Sequence, residues 1–304
     1  MKREFLSLNE LFPRFVAAKT AEGVSESTIS TYYKHWMCIG KHLDFERTFE
    51  DLVQDDINNV VVSMRRSGLA HNSISSYTRV LRTFLKWCRG HGYTDVVMPP
   101  IKDIETIKET YTDEELLALL QKPDKHCDFS EYRNWVIINF LLNCGCRAAT
   151  IRNIQNRDLD LSGKQVSFRH TKTGKVQIIP LCTQMVSILR DYIAIRQGSA
   201  SDYLFCNEYG EMLTENALRE AIYKYNHKRG VQKTSLHAFR HTFSRKFLVD
   251  CHGDAFTLQR LLGHSTLSTH QNGKSTNHPS LHANGQYIKR LHGNNRRFAF
   301  TIIV

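Results

Sequence analysis

Two adjacent prolines, Pro99 and Pro100, divide this sequence into two differently patterned parts. Before them, apolar residues recur mainly at helical spacing, whereas helical and strand-like segments are mixed after them. A proline lacks a backbone donor and keeps the residue before it out of the helical conformation, so no regular element continues through the pair. The charged residues that follow are typical of a linker. We therefore predict a helical domain with its linker over residues 1–105, a second domain over 106–267 and a basic tail over 268–304.

The first domain is predicted to be helical throughout. Its clearest helix runs from Asn72, a suitable N-cap, to Gly90, a suitable stop. The apolar residues of this segment recur at helical spacing and should face a core: Ile74, Tyr77, Val80, Leu81, Phe84, Leu85 and Cys88. An earlier helix is predicted from about Ser27 to His42. Its buried residues should be Ile29, Tyr33, Trp36 and Ile39 or their neighbours.

The remaining surface of the Asn72–Gly90 helix carries four basic residues: Arg79, Arg82, Lys86 and Arg89. Such a face can simply be solvated. In a chain as basic as this one, contact with phosphate groups is the favoured interpretation.

The second domain mixes helices with a β-meander. Thr112 and Glu115 form the pattern of a capping box, and helices are predicted from there through Leu142. Three short strand-like segments follow, separated by turns at Ser162-Gly163 and Thr173-Gly174, and Pro180 ends them. Further helices are predicted near Thr183, from Thr214 to Arg229, and from His237 to about Val249. The predicted fold is therefore mainly α with a small antiparallel β-meander.

The chain is strongly basic, with a net charge of +11 and a pI near 9.3. This balance favours a polyanionic partner, nucleic acid first and an acidic membrane surface second. No apolar run approaches the roughly 20 residues of a membrane span, which weakens the second choice. The first residues lack the apolar stretch of a secretory signal, and the eight cysteines are dispersed, so we expect reduced thiols and a cytoplasmic location. Cys144 and Cys146 are interpreted as packing residues.

Five residues form the candidate site: Arg147, Lys172, His237, Arg240 and His264. Arg147 follows a bend at a glycine, and Lys172 lies at the predicted tip of a hairpin. His237 and Arg240 are three residues apart on a helix, so both can address one phosphate. His264 follows a predicted helix end and would stand at the start of the next helix. The backbone amides at a helix start favour an anion. Taken singly, each has a plainer reading as a surface or core residue.

A metal site is not expected. The spacing of His237 and His241 suits zinc, but Ala238 stands where a zinc protease carries glutamate. The tail histidines are irregularly spaced and have no cysteine beside them: His270, His278, His282 and His292. We expect no metal and no cofactor.

Four motifs, in this order, resemble the tyrosine recombinases of the phage integrase type. They are Cys144-Gly145-Cys146-Arg147, Lys172 eight residues before Pro180, His237-xx-Arg240, and Leu262-Gly263-His264. The resemblance covers about residues 5–267. It implies a helical, SAM-like core-binding domain followed by an α+β catalytic domain, and a site-specific recombinase that integrates DNA of mobile elements.

The resemblance also implies a metal-free transesterification on double-stranded DNA, carried out by a homotetramer. No membrane partner is expected. Arg147 and Arg240 would hold the scissile phosphate, and Lys172 would protonate the departing 5′ oxygen. His237 would assist proton transfer and His264 would hold a non-bridging oxygen. A tyrosine would attack and form a 3′-phosphotyrosyl intermediate.

The sequence departs from the family at the nucleophile. That tyrosine should lie nine residues after His264, where Gly273 stands, and Tyr287 is the only later tyrosine. A milder departure is Thr150, where the family usually has an acidic residue. Three explanations are open: a shifted reading frame after about residue 268, a relocated nucleophile at Tyr287, or a DNA-binding relative that does not cut. A metal-dependent nuclease is a further alternative, without a carboxylate cluster to support it.

Overall fold

The structure is a computed structural model that describes residues 6–102, 104, 108–170, 174 and 176–263. Two compact units are separated by a division near residue 106. The domain limits predicted at 105/106 and 267/268 lie outside the described residues. So do several residues singled out in the sequence: Lys172, His264, Gly273, Tyr287 and the tail histidines His270, His278, His282 and His292.

The described part of the first unit contains four helices. They are α1 (Leu8–Ala21), α2 (Glu26–Ile39), α3 (Gln54–Arg66) and α4 (His71–Gly90). An aromatic cluster forms the centre of their core: Phe12 stacks on Trp36 with ring centroids 4.1 Å apart, and Phe84 meets both edge-on. Six of the seven apolar residues predicted on the core face of α4 are buried, and Tyr77 is partly buried against the same core.

Two details of this unit correct the sequence predictions. The N-cap of α4 is Ala70, not Asn72, because the Ala70 carbonyl already accepts from the amides of Ser73 and Ile74. On α2, which ends at Ile39 and not at His42, Tyr33 is 48% exposed. Sequence spacing misplaced Tyr33 because the core lies toward the neighbouring Tyr32, Trp36 and Ile39, and Tyr32 packs against it.

The second unit begins with α5 (Asp113–Leu120), α6 (Phe129–Cys144) and the short α7 (Ala148–Arg152). A 3₁₀ turn over Asn156–Asp158 leads into strands β1 (Leu159–Asp160), β2 (Gln165–Phe168) and β3 (Gln177–Pro180). In the part of this unit that the structure describes, four helices follow: α8 (Thr183–Arg196), α9 (Glu215–Lys228), α10 (Leu236–Val249) and α11 (Ala255–Leu262).

The predicted capping box and meander are confirmed. The Thr112 hydroxyl accepts from the Glu115 amide, and the Glu115 carboxylate accepts from the Thr112 amide. The strands form one antiparallel sheet in the order β1-β2-β3, with Val166 paired to both Leu159 and Ile179. The fold is therefore mainly α with a small antiparallel meander.

Helix α6 is the centre of the second unit. Nearly every residue from Tyr132 to Cys144 is buried, because α5, α8, α9 and α10 all pack around this helix. A helix surrounded in this way has no polar face. The packing of α6 therefore fixes the position of its C-terminal end. It also fixes where the segment after Cys144 starts.

Candidate functional site

Arg147 is placed by a tight bend at the end of α6. Gly145 closes the helix in the left-handed conformation, with φ of +57°, as the sequence predicted. Cys146 is then buried, and Arg147 forms the extended N-cap of α7 with a half-buried side chain. Only glycine fits at position 145, since an added Cβ would lie 2.3 Å from Cδ1 of Phe243 on α10.

Arg240 is buried where three elements meet. Only 8% of the residue is exposed. Its Nη1 donates to the Gly145 carbonyl at 2.7 Å, and its Nη2 donates to the Leu262 carbonyl at 2.8 Å. The guanidinium thus joins α10 to the ends of both α6 and α11.

Arg147 and Arg240 lie close enough for their positive charges to repel each other. Burial, with the positive charge of Arg147 as the next cause, lowers the pKa of Arg240 to about 10, and the nearby Cys146 opposes this shift. Arg240 is still a cation at neutral pH. No side-chain hydrogen bond joins Arg147 to another residue in the described ranges. Two neighbouring cations, one with unused donors, form a site suited to an anion with several oxygens, such as a phosphate group.

His237 and Arg240 differ in exposure although they share one face of α10. His237, in the first turn, is exposed, and Arg240 is buried one turn later. His241, the residue after Arg240, is partly buried. Its pKa is lowered by burial and then by the positive charges of Lys108, His237 and Arg240. Lys108 therefore adds positive charge around His241, and sequence reasoning gave neither of them a role.

The start of α10 is fixed by a buried polar network. The Tyr111 amide donates to Oγ1 of Thr242 at 2.9 Å, and Nδ2 of Asn226 donates to the Lys233 carbonyl at 2.6 Å and to the Tyr111 hydroxyl at 3.2 Å. Lys233 in turn forms an ion pair with Glu115 at 2.8 Å. These contacts anchor the loop that leads into α10, so the position of His237 is set by the core beneath it.

The end of α11 is the third part of the site. Gly263 closes the helix with φ of +63°, which confirms the predicted stop. Nε2 of Gln177, on β3, donates to the carbonyls of Arg260 and Leu261, both at 2.7 Å. Sequence reasoning missed Gln177, because no motif marks a residue that acts on a helix distant in sequence.

The structure thus brings Arg147, His237 and Arg240 into one region of the second unit. Lys172 and His264 lie outside the described residues. The predicted packing role of Cys144 and Cys146 is confirmed, since both are buried and burial raises the pKa of Cys146 to about 12. All eight cysteines are free thiols.

The basic face of α4 is exposed as predicted. Arg79, Arg82, Lys86 and Arg89 all lie on the side opposite the buried apolar residues. Arg82 also donates to the Pro99 carbonyl at 3.0 Å. We call these four residues the α4 basic stripe.

Nowhere in the described ranges do three or more histidine, cysteine or acidic side chains gather in a way that could hold a metal ion. None of the helices described is both long and apolar enough to span a membrane.

Comparison with known proteins decides the family. The sequence pattern of the phage integrase family matches residues 109–275, more than half of the chain. The chain belongs to the phage integrase family. The recombinase resemblance deduced from the four motifs is therefore confirmed at the level of the family.

Relatives and solved structures agree with this integrase assignment. The chain is 24% identical to tyrosine recombinase XerC of Roseiflexus castenholzii over 288 residues, 90% of each chain, and 27% identical to XerD of Listeria innocua over 282 residues, 87% of this chain and 93% of the relative. A lambda integrase dimer bound to a core site matches 90% of this chain and 100% of its own, with a TM-score of 0.71 at 16% identity. The Tn1549 transposon integrase with circular intermediate DNA matches 86% of this chain and 93% of its own, with a TM-score of 0.71 at 17% identity. These structures share the integrase fold.

Proposed function

We propose that this chain acts on double-stranded DNA in site-specific recombination and holds one phosphodiester between Arg147 and Arg240. The observation that carries the proposal is the pairing of two cationic side chains within a unit that matches the integrase family. Arg240 is oriented by the Gly145 and Leu262 carbonyls, and Arg147 presents donors that no described residue engages. Donors fixed before the substrate arrives stabilise the charge that develops on a phosphate.

The other three residues act around that phosphate. Exposed His237 assists proton transfer, Lys172 protonates the departing 5′ oxygen, and His264 holds a non-bridging oxygen. The reaction needs no metal, because the protein supplies both the positive charge and the protons. Family resemblance and residue chemistry support these roles.

The nucleophile separates two forms of the proposal. Glycine has no group that can attack phosphorus, so cleavage through position 273 is excluded. In the first form, the Tyr287 hydroxyl gives its proton to His237 and its oxygen bonds to phosphorus. The bond to the 5′ oxygen breaks, and that oxygen takes a proton from Lys172. In the second, the chain binds the same DNA without cutting, and the absence of a hydroxyl at position 273 favours this form.

The deciding experiment is covalent trapping on a nicked duplex. The full chain is used to select its preferred duplex from a random library, and that duplex is then nicked so that a cleaved end diffuses away. An adduct that survives denaturant and is lost in Tyr287→Phe supports cutting. Salt-sensitive binding without an adduct supports the non-cutting form. Binding that is absent or insensitive to salt contradicts both forms.

A frame test of the encoding DNA complements the trapping. Codons 255–304 are translated in the other two forward frames. A tyrosine nine residues after His264, followed by an amphipathic helix, identifies the present tail as a frameshift product and predicts binding without cutting. If neither frame restores that tyrosine, the tail is genuine and Tyr287 remains the residue to test.

The oligomeric state is proposed on the same basis. Solved integrases include a dimer on a core site and a tetramer on a Holliday junction. We expect this chain to assemble on paired DNA sites as a homotetramer if it cuts. Sedimentation of the protein with its selected duplex, in single and paired form, measures this directly.

A further inference from the structure

The last turn of α11 is held from outside the helix by Gln177. Each proton of the Nε2 group has one acceptor, the Arg260 carbonyl or the Leu261 carbonyl, at 2.7 Å in both cases. The final carbonyls of a helix have no partner within the helix itself. The Gly263 amide already donates to the Arg260 carbonyl at 3.1 Å. Gln177 therefore adds a second donor to the Arg260 carbonyl and supplies one to the Leu261 carbonyl.

The contact is close enough to constrain the helix end. A Cβ added at Gly263 would lie 2.7 Å from Oε1 of Gln177. Gly263 also has a left-handed backbone conformation, which residues with a side chain rarely adopt. The hydrogen bonds of Gln177 keep the last turn of α11 against β3.

The same helix end contacts Arg240. The carbonyl of Leu262, directly after the two that Gln177 binds, accepts from Nη2 of Arg240 at 2.8 Å. The other end of that guanidinium is bonded to Gly145, two residues before Arg147. Hydrogen bonds from Gln177 and from Arg240 thus meet at adjacent carbonyls of α11, and the backbone between Leu261 and Leu262 connects β3 with the segment that carries Arg147.

We propose that Gln177 is a positioning residue for the phosphate-binding arginines. By holding the last turn of α11, it fixes the Leu262 carbonyl and through it the orientation of the Arg240 guanidinium. The inference rests on the proposed function where it is tested by DNA binding. Its test by spectroscopy of the protein alone does not depend on that function.

Two substitutions separate donor from acceptor at this position. Gln177→Glu removes both donors and places a carboxylate against two carbonyl oxygens. Gln177→Lys keeps a donor, and a cation is favourable at a helix C-terminus. Gln165→Glu and Gln165→Lys are matched controls, because Gln165 lies on the adjacent strand and its amide contacts Asp160 at 3.0 Å, away from α11.

The DNA measurement uses single methylphosphonates, which remove one phosphate charge at a time along the selected duplex. For the wild-type chain, substitution at the engaged phosphate should weaken binding roughly tenfold relative to the unmodified duplex. In Gln177→Glu this ratio should fall close to one, while Gln177→Lys and both Gln165 variants keep it. In an Arg240→Lys background, Gln177→Glu should change the ratio no further, because both substitutions then act on one interaction.

The spectroscopic measurement needs no DNA. The ¹⁵N signals of the Arg240 guanidinium, identified by their loss in Arg240→Lys, report how fast its protons exchange with water. Exchange should become at least several-fold faster in Gln177→Glu alone, since loss of a fixed acceptor frees the guanidinium.

The outcomes distinguish the inference from the proposed function. A wild-type chain with no position-dependent methylphosphonate effect contradicts the phosphate pocket, and Arg240 exchange then decides the role of Gln177. A Gln177→Glu chain that is less stable, yet keeps the wild-type ratio and the wild-type exchange, overturns the inference. In that case Gln177 only stabilises the fold.

Discussion

At the scale of single residues, Arg240 combines structure with chemistry. Its buried guanidinium supports two backbone carbonyls, whereas the half-buried Arg147 supports no described neighbour through its side chain. The two arginines that family resemblance assigns to one phosphate therefore differ in what they contribute to the fold.

This difference predicts unequal effects on stability. Arg240→Ala should lower the free energy of unfolding by about 3 kcal/mol, because two buried carbonyls lose a charged donor. Arg147→Ala should change it by less than about 0.5 kcal/mol, since it also relieves repulsion between two cations. Urea denaturation measures both values, and equal losses would contradict the placement of the two side chains.

Loss of the Arg147 side chain should also affect two aspects of DNA binding to different degrees. Because many basic residues share the general attraction to phosphates, Arg147→Ala should weaken engagement at the cleavage point more than overall affinity. The methylphosphonate scan measures the first quantity and binding to the unmodified duplex measures the second. A collapse of overall affinity from this single change would show that Arg147 carries more than one phosphate contact.

Gly145 offers a test of close approach between helices. In Gly145→Ala the new Cβ would overlap the Phe243 ring, in addition to the strain of a positive φ. Gly230→Ala is the control, because Gly230 has φ of +73° but no atom within 4 Å of an added Cβ. We expect a loss of about 1 kcal/mol for the control and about 3 kcal/mol for Gly145→Ala. Similar losses in thermal or urea unfolding would mean that Phe243 moves away freely.

At the scale of elements, α4 separates its two faces cleanly. Apolar residues pack into the core of the first unit, and the α4 basic stripe faces outward. This arrangement is what a helix needs if it is to contact DNA through its outer face without disturbing the core.

The stripe predicts a change in salt dependence. If Arg89 contacts a phosphate, Arg89→Gln should reduce the slope of log K against log salt by about 0.9. Lys19→Gln is the control, since Lys19 on α1 is already paired with Glu22 at 2.7 Å. The slope is obtained from binding titrations at several salt concentrations. An unchanged slope in Arg89→Gln would remove Arg89 from the DNA contacts.

At the scale of the whole molecule, each unit has its own hydrophobic core. Phe84 is fully buried in the first core and Phe140 in the second. Phe84→Ala and Phe140→Ala should each destabilise their own unit by roughly 3–5 kcal/mol. Hydrogen exchange followed by peptide should then show lost protection in residues 6–102 for the first and in 108–263 for the second. Equal loss in both units from one substitution would show that they unfold together.

Prediction from sequence succeeded where the signal was local. The Thr112 capping box, the meander and the glycine stops at 145 and 263 depend on a few neighbouring residues, and the structure confirms them. It failed at Asn72 and Tyr33, where the exact start of a helix and the direction of the core depend on packing.

The sequence by itself determined the family, the mainly α fold with its meander, and the identity of the arginine and histidine residues of the candidate site, because order and spacing of motifs are properties of the chain. It also determined that position 273 has no nucleophile. Only the tertiary structure decided that Arg240 is buried between two helix ends, that Lys108 adds positive charge around His241, and that Gln177 holds the end of α11. The Arg240–Gly145 contact, for example, joins residues 95 positions apart in the sequence. Packing alone brings such residues together, and no local pattern in the sequence records it.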